Sequence, residues 1–458
     1  MTRLALLLVL CASAAPAQEV LLPATTEETL PNGLTVFAVE YDKVPLVHFR
    51  LVTRGGAARD AAGAEGRTAM MASLLRRGTA SRSAPEIAAQ IEATGGSLES
   101  AAGMDYCAVK CEAPSRDVDG ALAVFADVVM HPVFAPGELT RERELRIAAL
   151  EGLREDPATV ASMTFRREAY GAHPYGRHTD GTRLSLAGLT RDQVAAAYRS
   201  LFVPGNCILV VVGPVERAGL MQKIRAAFGT WQATAPADTV AVPPVPPVRG
   251  TRVVLVNMPQ ATQTQIVSGA TGAPLRHPDR MALNVGSAAF GGGFTSRLMR
   301  ELRVKRSLTY GVAAGFSAHA AGGLFSVATF TKNGTVGEAL EVIGEETRKF
   351  REGGATAAEM RTAANAIGGT FARALQSPDV LAALITDREI YGLPDDQIEG
   401  YLRRLHAVSV ADVRRAAGGH FPAEQDRLTV LVGPADSLGA TAGRFGTLVR
   451  KELDEVMP

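Results

Sequence analysis

Two stretches of this chain, 220 residues apart, follow the same plan. One runs from Leu189 to Pro214 as LTRDQVAAAYRSLFVPGNCILVVVGP, and the other runs from Val408 to Pro434 as VSVADVRRAAGGHFPAEQDRLTVLVGP. Each predicts a capped helix, a loop, an apolar β-branched strand and a final Gly-Pro. A repeat at this distance indicates a duplication, with two halves of about 210 residues that share one fold.

The beginnings of the two halves also match. GLTVFAVEYDKVPLVHFRLVTRGG, residues 33–56, and TRVVLVNMPQATQTQIVSGATG, residues 251–272, each read as a pair of strands before a helix. Strands joined by short turns pair antiparallel, so we expect an α+β fold in which each half is an antiparallel sheet with helices packed on one face. Apolar spacing between Pro and Gly breaks predicts long helices at 84–94, 117–130, 137–154, 335–352 and 356–374.

A proline-rich segment separates the halves. TAPADTVAVPPVPPVRGT, residues 234–251, contains five prolines and shows little helix or strand periodicity, so it predicts an extended linker. The predicted organisation is therefore an N-terminal domain at 18–233, the linker at 234–251 and a C-terminal domain at 252–458.

Residues 1–17 have the pattern of a secretory signal peptide. Arg3 precedes the apolar run LALLLVLCA, and the sequence APA ends at Ala17 with small residues at the last and third-last positions. A buried N-terminal helix is the alternative, and a lipoprotein is disfavoured because the bulky Leu10 precedes Cys11. We expect cleavage after Ala17 and a periplasmic location.

The rest of the chain has balanced charge and few cysteines. After residue 17, 47 Lys and Arg face 47 Asp and Glu, which gives no electrostatic reason to expect nucleic acid or an anionic membrane as a partner. No later stretch reaches the ~20 continuous apolar residues of a membrane span.

Cys107 and Cys111 would lie ~13 Å apart in one strand, beyond the ~7 Å limit of a disulfide. We interpret both as buried small hydrophobes. With Cys207 the number of cysteines is odd, so at least one thiol is free or pairs between chains.

Several motifs, taken in order, resemble one protein family over nearly the whole chain after residue 17. They are LPNGLTVFAVE, GRTAMMASLLRRGT, IEATGGSLESAAGMDY, HPVFAPGELTRERELRIAALEGLREDP, HPYGRHTDGT and AFGGGFTSRLMRELRVKRSLTYGV. This series resembles the pitrilysin/insulinase (M16) family of zinc peptidases, which includes the mitochondrial processing peptidases. The resemblance implies the duplicated fold of that family, which is also described as LuxS-like metallohydrolase.

The resemblance also implies where a zinc site would lie. In active members a helix carries H-x-x-E-H, whose histidines bind zinc while the glutamate serves as general base, and a later glutamate is the third protein ligand. In the frame GRTAMMASLLRRGT these positions hold Ala69, Ala72 and Ser73, and the later glutamate position holds Ala149. Alanine has no lone pair and a neutral serine hydroxyl is a poor zinc ligand. We therefore expect no metal or other cofactor in this chain, and zinc only in a partner.

A relocated zinc site has little support in the sequence. Among the eight histidines, His173 and His178 are the pair closest along the chain. Their spacing of five, around Pro174 and Gly176, does not present two ligands on one helix face. Loop structure is the preferred explanation of this pair.

The second half keeps a different part of the family's site. Arg303 and Tyr310, in LRVKRSLTYGV, have the spacing of an arginine–tyrosine pair that faces the scissile bond in active relatives. A phenol O–H and a guanidinium can donate hydrogen bonds to the oxyanion that forms during peptide hydrolysis. The alternative is that Arg303 makes a surface salt bridge and that Tyr310 only covers a core.

Relatives also hold the substrate as an added strand on a sheet edge in the first half. The matching residues are Gly95, Gly96, Ser97, Leu98 and Glu99. The two glycines would allow a peptide backbone to approach closely. Active relatives often have Asn-Ala where this chain has Glu99 and Ser100, and an ordinary amphipathic strand explains the segment equally well.

Some bacterial members of this family divide the site between two chains, one with H-x-x-E-H and one with the arginine–tyrosine pair, and this chain resembles the second kind. The resemblance therefore implies the non-zinc subunit of an exported heterodimeric peptidase, whose partner would be a paralogue that carries H-x-x-E-H. Arg303 and Tyr310 would complete the partner's site across the interface, and the resemblance implies unfolded peptides as substrates. The alternative is a catalytically inert peptide-binding or scaffold protein. A self-sufficient metallopeptidase would need ligands that the sequence does not contain.

Overall fold

The computed structural model describes residues 20–238 and 240–458, and the predicted signal peptide lies outside them. The first half contains one six-stranded sheet and eight helices among these residues. Its strands are β1 (Thr25–Thr29), β2 (Thr35–Glu40), β3 (Leu46–Thr53), β4 (Ser97–Ala102), β5 (Cys107–Pro114) and β6 (Cys207–Gly213). Its helices are α1 (Arg67–Leu75), α2 (Ala84–Glu92), α3 (Val118–Met130), α4 (Pro136–Gly152), α5 (Pro157–Tyr170), α6 (Arg183–Ala187), α7 (Arg191–Leu201) and α8 (Arg217–Phe228).

The second half repeats this arrangement. Its strands are β7 (Arg252–Asn257), β8 (Gln263–Gly272), β9 (Val312–Ala318), β10 (Gly323–Lys332), β11 (Leu428–Gly433) and β12 (Thr447–Glu452). Its helices are α9 (Arg280–Gly291), α10 (Val336–Gly353), α11 (Ala357–Ala374), α12 (Pro378–Tyr391), α13 (Tyr401–Ala407), α14 (Val410–His420), α15 (Ala435–Ala442) and α16 (Leu453–Val456). A π-helical segment, Met299–Lys305, follows α9. The five long helices expected from the sequence are all present, with bounds within two residues of those expected.

The duplication inferred from the sequence is visible in the order of the strands. The first sheet runs β1-β2-β6-β3-β5-β4 and the second runs β12-β7-β11-β8-β10-β9, so five strands repeat in one order. In both copies a capping hydroxyl starts the helix before the repeated strand: Thr190 accepts the amide hydrogen of Gln193, and Ser409 accepts that of Asp412. The α+β class with two repeated halves is therefore confirmed.

Both sheets are mixed, because each contains parallel as well as antiparallel strand pairs, whereas we expected antiparallel sheets from the sequence. In each half a later strand, β6 or β11, returns after a long helical excursion and inserts between the two strands of the first pair, so β2 does not pair with β3 and β7 does not pair with β8. There β6 is parallel to β2 and antiparallel to β3, and β11 has the same relation to β7 and β8. The expected antiparallel pairing of these neighbouring strands was therefore wrong, because a short connection does not show that a strand arriving through a long crossover will separate them.

Each sheet is covered on both faces, by helices of its own half on one side and by a helix of the other half on the other. In β2, Val36 and Ala38 face the helices of the first half, while Phe37 and Val39 face α12 from the second half. Reciprocally, α5 from the first half packs on the outer face of β8 and β11. The expectation of helices on one face was therefore incomplete, because the cover on the second face comes from a segment far away in the chain.

Polar contacts fix the two halves together along the same helices. Glu168 on α5 accepts hydrogen bonds from Lys451 (2.7 Å) and Arg252 (3.4 Å) of the second sheet. Asp105, in the turn between β4 and β5, accepts the hydroxyl hydrogens of Tyr175 (2.6 Å) and Tyr391 (3.1 Å), the latter from α12. Tyr175 and Asp105 belong to the first half, so this carboxylate connects residues of both halves.

The linker and the cysteines are integrated into this structure. Residues 234–238 and 240–251 form no helix or strand, and they run along both halves. Cys107, Cys111 and Cys207 are free and buried, and burial raises the pKa of Cys107 and Cys111 to about 12. Their interpretation as buried small hydrophobes is confirmed. Among the described residues, no helix is both long enough and apolar enough to cross a membrane.

The packing of α5 on the second sheet predicts how a substitution in this helix affects stability. Phe165 on α5 is 2% exposed and lies against Gly269 of β8. Replacing it by alanine (Phe165→Ala) should lower the free energy of unfolding by ~3–5 kcal/mol, because a buried ring is lost and a cavity remains. Chemical denaturation followed by circular dichroism measures this change.

The matched control is Ser162→Ala, an exposed position on the same helix, which should change the free energy by less than ~0.5 kcal/mol. Equal stability of the two variants would show that α5 does not complete the core of the second sheet.

Candidate functional site

The helix that would carry zinc ligands is an ordinary buried helix. Ala69 and Ala72 on α1 are 4% and 0% exposed, Ser73 is half-buried, and Ala149 lies on the exposed side of α4. Gly66, which caps α1 at its N-terminus, has a φ of +86°, and a Cβ there would lie 2.6 Å from the carbonyl oxygen of Asp180. The first glycine of the frame GRTAMMASLLRRGT is thus required by backbone geometry and packing, whatever chemistry the helix carries.

An arginine side chain bridges the two helices at this place. Arg146 on α4 donates hydrogen bonds to the Ser73 hydroxyl (2.5 Å) and to the carbonyl oxygen of Ala69 (3.3 Å). It also pairs with Glu142 and with Asp180, and its side chain is only 11% exposed. Sequence reasoning missed Arg146, because its position one turn before Ala149 becomes informative only when α1 and α4 are seen together.

The side chains at α1 and α4 do not fit a zinc ion. Ala69, Ala72 and Ala149 offer no electron pair, and the Ser73 hydroxyl already accepts a hydrogen bond from a guanidinium. That guanidinium remains charged at all ordinary pH values and would repel a divalent cation. The arrangement holds the two helices together but cannot activate water.

The predicted substrate strand is the free edge of the first sheet. β4 pairs only with β5 among the described strands, and Ser100 donates a hydrogen bond to the carbonyl oxygen of Ala72 on α1 (2.6 Å). Gly95 has a φ of +74°, and a Cβ at Gly96 would lie 2.3 Å from the carbonyl oxygen of Glu112. The chain's own turn therefore requires both glycines, and peptide binding along Ser97, Leu98 and Glu99 stays a prediction.

In the second half, Arg303 and Tyr310 lie together on the surface. The guanidinium carbon of Arg303 is 4.4 Å from the centre of the Tyr310 ring and 4.5 Å from the centre of the Phe294 ring. Tyr310 is 75% exposed and Phe294 is 66% exposed. Within the described chain, neither the guanidinium of Arg303 nor the hydroxyl of Tyr310 has a hydrogen-bond partner. Both side chains thus present unused donors to solvent.

The neighbouring cations are neutralised, so Arg303 is the free charge of this segment. Glu301 is buried and accepts hydrogen bonds from Lys305 (2.7 Å) and Arg306 (2.9 Å). Burial would raise the pKa of the Glu301 carboxyl, but these two cations outweigh it and hold the pKa at about 2. Arg297 is likewise paired, with Glu359. A surface salt bridge was the alternative role for Arg303, and no carboxylate partner for it exists among the described residues.

Buried threonines of β10 hold the loop that carries Tyr310. Thr331 donates to the carbonyl oxygen of Leu308 (2.7 Å), and Thr329 donates to that of Gly311 (2.8 Å). Ser307, between the arginine and the tyrosine, has a φ of +53°, which L-residues rarely adopt outside strained or functional loops. Arg303 itself lies in the π-helical segment, a geometry that often marks functional sites.

The histidines do not form the pair considered in the sequence. His173 contacts the carbonyl oxygen of Pro243 at 2.7 Å, and His178 accepts an amide hydrogen from Asp180. The structure instead brings together His277, Asp279 and His420, whose donor atoms lie within 4.8 Å of one another. Nothing in a single sequence relates His277 to His420, which lie 143 residues apart.

This cluster is the group in the described residues that could hold a metal ion. Its present bonds oppose that use, since Asp279 pairs with Arg415 at 2.6 Å and its amide donates to Nδ1 of His277. That hydrogen bond favours a proton on Nε2 of His277, the atom a metal would need. Burial, and then the neighbouring His277, lower the pKa of His420 below its usual value.

Two family models match consecutive parts of the chain. Residues 36–183 match the model described as insulinase (peptidase family M16), and residues 188–367 match the model described as the peptidase M16 inactive domain. The chain belongs to peptidase family M16. The fold described above is therefore an M16 fold, which the resemblance in the sequence had implied.

Similar proteins cover most of this M16 chain. An uncharacterized zinc protease of Streptomyces coelicolor is 26% identical over 396 residues, which is 85% of each chain. An uncharacterized zinc protease of Mycobacterium tuberculosis is 26% identical over 412 residues, 88% of this chain and 92% of the relative. The crystal structure of a peptidase M16 inactive domain from Pseudomonas fluorescens has a TM-score of 0.84 and 25% identity, and the match covers 90% of this chain and 98% of that one. A protease from Helicobacter pylori shares the fold, with a TM-score of 0.82 and 20% identity over 90% of this chain and 100% of that one.

The chemistry of α1 predicts the metal content of this M16 chain. The purified protein should contain less than ~0.1 equivalent of zinc, because a protein zinc site needs three or four donor side chains and the positions of Ala69, Ala72, Ser73 and Ala149 supply no usual zinc ligand. Inductively coupled plasma mass spectrometry measures this content after gel filtration. Stoichiometric zinc that disappears in His420→Ala would place the ion in the His277 cluster. Zinc that survives in His420→Ala would contradict the description of α1.

Proposed function

We propose that this chain is the non-zinc subunit of an exported heterodimeric M16 peptidase. The observation that carries the proposal is the exposed pair of Arg303 and Tyr310, whose donors are unused within the described chain. At the other place where chemistry would occur, α1 presents no metal ligands, and Arg146 ties it to α4. A chain that has donors for a transition state but no metal ligands on α1 would need a partner to supply the metal, and a paralogue bearing H-x-x-E-H has the complementary set.

The role of the pair follows from the charge that develops during peptide hydrolysis. Attack of water on the scissile carbonyl turns its oxygen into an oxyanion, which binds hydrogen-bond donors more strongly than the neutral carbonyl does. The Tyr310 hydroxyl and an N–H of Arg303 would donate to that oxygen, and both groups keep their protons throughout. The activated water would come from zinc in the partner chain.

The expected substrate and location complete the proposal. β4 has a free edge on which a peptide could add as a strand through backbone hydrogen bonds, a mode that tolerates many sequences and requires an unfolded substrate. Export through residues 1–17 would place the complex in the periplasm. Peptides without stable structure are therefore the proposed substrates.

Coexpression of this chain with an exported paralogue that carries H-x-x-E-H tests the proposal. Neither chain alone should cleave a fluorogenic peptide, and the pair should cleave it. Tyr310→Phe should lower kcat of the pair by ~10²-fold or more with little change in KM, because one transition-state donor is lost. Tyr401→Phe is the matched control, since it removes a half-buried hydroxyl elsewhere in the second half.

The results separate the proposal from its alternative. Unchanged turnover in Tyr310→Phe would remove this residue from the mechanism. A stable but inactive pair, with peptide bound, would instead support the inert peptide-binding or scaffold protein.

A further inference from the structure

We infer that Phe294 is a positioning residue that, together with Tyr310, holds the guanidinium of Arg303 between two aromatic rings. We refer to Phe294, Arg303 and Tyr310 as the aromatic clamp. The catalytic consequence of the clamp rests on the function proposed above, whereas the clamp itself is a property of this chain alone. Neither the sequence motif nor the arginine–tyrosine spacing indicates a role for Phe294.

The distances define the clamp. The guanidinium carbon lies over both rings, 4.5 Å from the centre of Phe294 and 4.4 Å from the centre of Tyr310. Both distances are well inside the ~6 Å range of cation–π attraction. In the described chain the two rings make no ring contact with each other, so Arg303 is the side chain that connects them.

The C-terminal end of α9, just before Phe294, is closely packed. A Cβ at Gly291 would lie 2.5 Å from the Cβ of Ala314 on β9, and a Cβ at Gly292 would lie 2.6 Å from the Cα of Ala288 on α9. Gly291 thus lets the end of α9 pack against β9, the strand that begins just after Tyr310. The ring of Phe294 is therefore carried by a short exposed segment that follows a well-packed helix end.

The clamp leaves a specific part of Arg303 available. A guanidinium is planar and all five of its N–H donors point outward in that plane. On this proposal the rings cover the faces of the guanidinium and leave its N–H edge for binding, and that edge suits an oxygen acceptor such as a peptide carbonyl. An unclamped arginine would also lose more side-chain freedom on binding substrate. Phe294 thus orders the donor before the substrate arrives.

The clamp also accounts for an exposed aromatic side chain. Phe294 is 66% exposed, although a phenylalanine ring is usually buried. A solvent-exposed ring of this size gains little from core packing, but it can stabilise a cation whose other neighbours, Lys305 and Arg306, are paired with Glu301.

Nuclear magnetic resonance of the full chain with isotope-labelled arginine tests the clamp without any partner. The side-chain methylene protons of Arg303, assigned with Arg303→Lys, should be shifted upfield by ring currents. Phe294→Leu should reduce that shift by about half, since one of two rings is lost, whereas Phe294→Tyr should retain it. Unshifted Arg303 protons in the wild-type chain would overturn the clamp whatever the activity of the complex.

Kinetics of the heterodimer test the positioning role. Phe294→Leu should lower kcat by ~3- to 10-fold with little change in KM, because Arg303 keeps its charge but loses its order, and Phe294→Tyr should restore kcat. Val304→Ala, at a 65% exposed neighbour, is the control for a general loss of apolar surface and should leave kcat unchanged. If the ring-current shift of Arg303 is observed but Phe294→Leu keeps the wild-type kcat, the clamp exists and the positioning role of Phe294 in catalysis is contradicted. Wild-type kcat in Tyr310→Phe would instead remove Tyr310 from the proposed mechanism without contradicting the clamp, whereas an inactive pair would contradict the proposed function.

Discussion

Both sheets of this protein are buried on both faces, and each depends on a helix from the other half for one of those faces. Helix α12 covers Phe37 and Val39 of the first sheet, and helix α5 covers Val430 and Val432 of the second sheet. We call this reciprocal packing the exchange of α5 and α12. Burial of apolar surface is the main favourable contribution to folding, so neither half completes its core alone. The relation between the halves is therefore set by the same packing that stabilises each of them.

This exchange determines where the chemically important elements lie. The free strand β4 ends in the turn that carries Asp105, and Asp105 accepts hydrogen bonds from Tyr391 on α12 and from the amide of Ala320 in the turn after β9. β9 begins two residues after Tyr310. The turn after β4 and the turn after β9 therefore meet at the carboxylate of Asp105. β4 is the proposed substrate strand, and β9 follows the loop that carries Tyr310, so this contact helps to orient the two proposed parts of the site.

The region of helix α1 keeps the glycines and the apolar residues of the motif GRTAMMASLLRRGT, although the motif contains no histidine or glutamate at the positions where active relatives bind zinc. Gly66 is required by a left-handed backbone conformation, and Ala69 and Ala72 pack in the core, so α1 is stable without any ligand. Arg146 on α4 donates hydrogen bonds to Ala69 and Ser73 on α1. In active relatives these two helices would instead be connected by a shared metal ion. In the second half, in contrast, buried threonines hold an exposed loop on which the Tyr310 hydroxyl has no hydrogen-bond partner among the described residues.

The sequence by itself determined the duplication, the α+β class, the long helices and the loss of zinc ligands, because these depend on periodicity, capping residues and side-chain chemistry that are local. It also placed Arg303 and Tyr310 seven residues apart. Only the tertiary structure decided the parallel insertion of β6 and β11, the exchange of α5 and α12, the bridge made by Arg146 and the contact of Phe294 with Arg303. Each of these joins residues through packing or hydrogen bonds between separate elements, and no local pattern in one chain specifies which distant elements will meet.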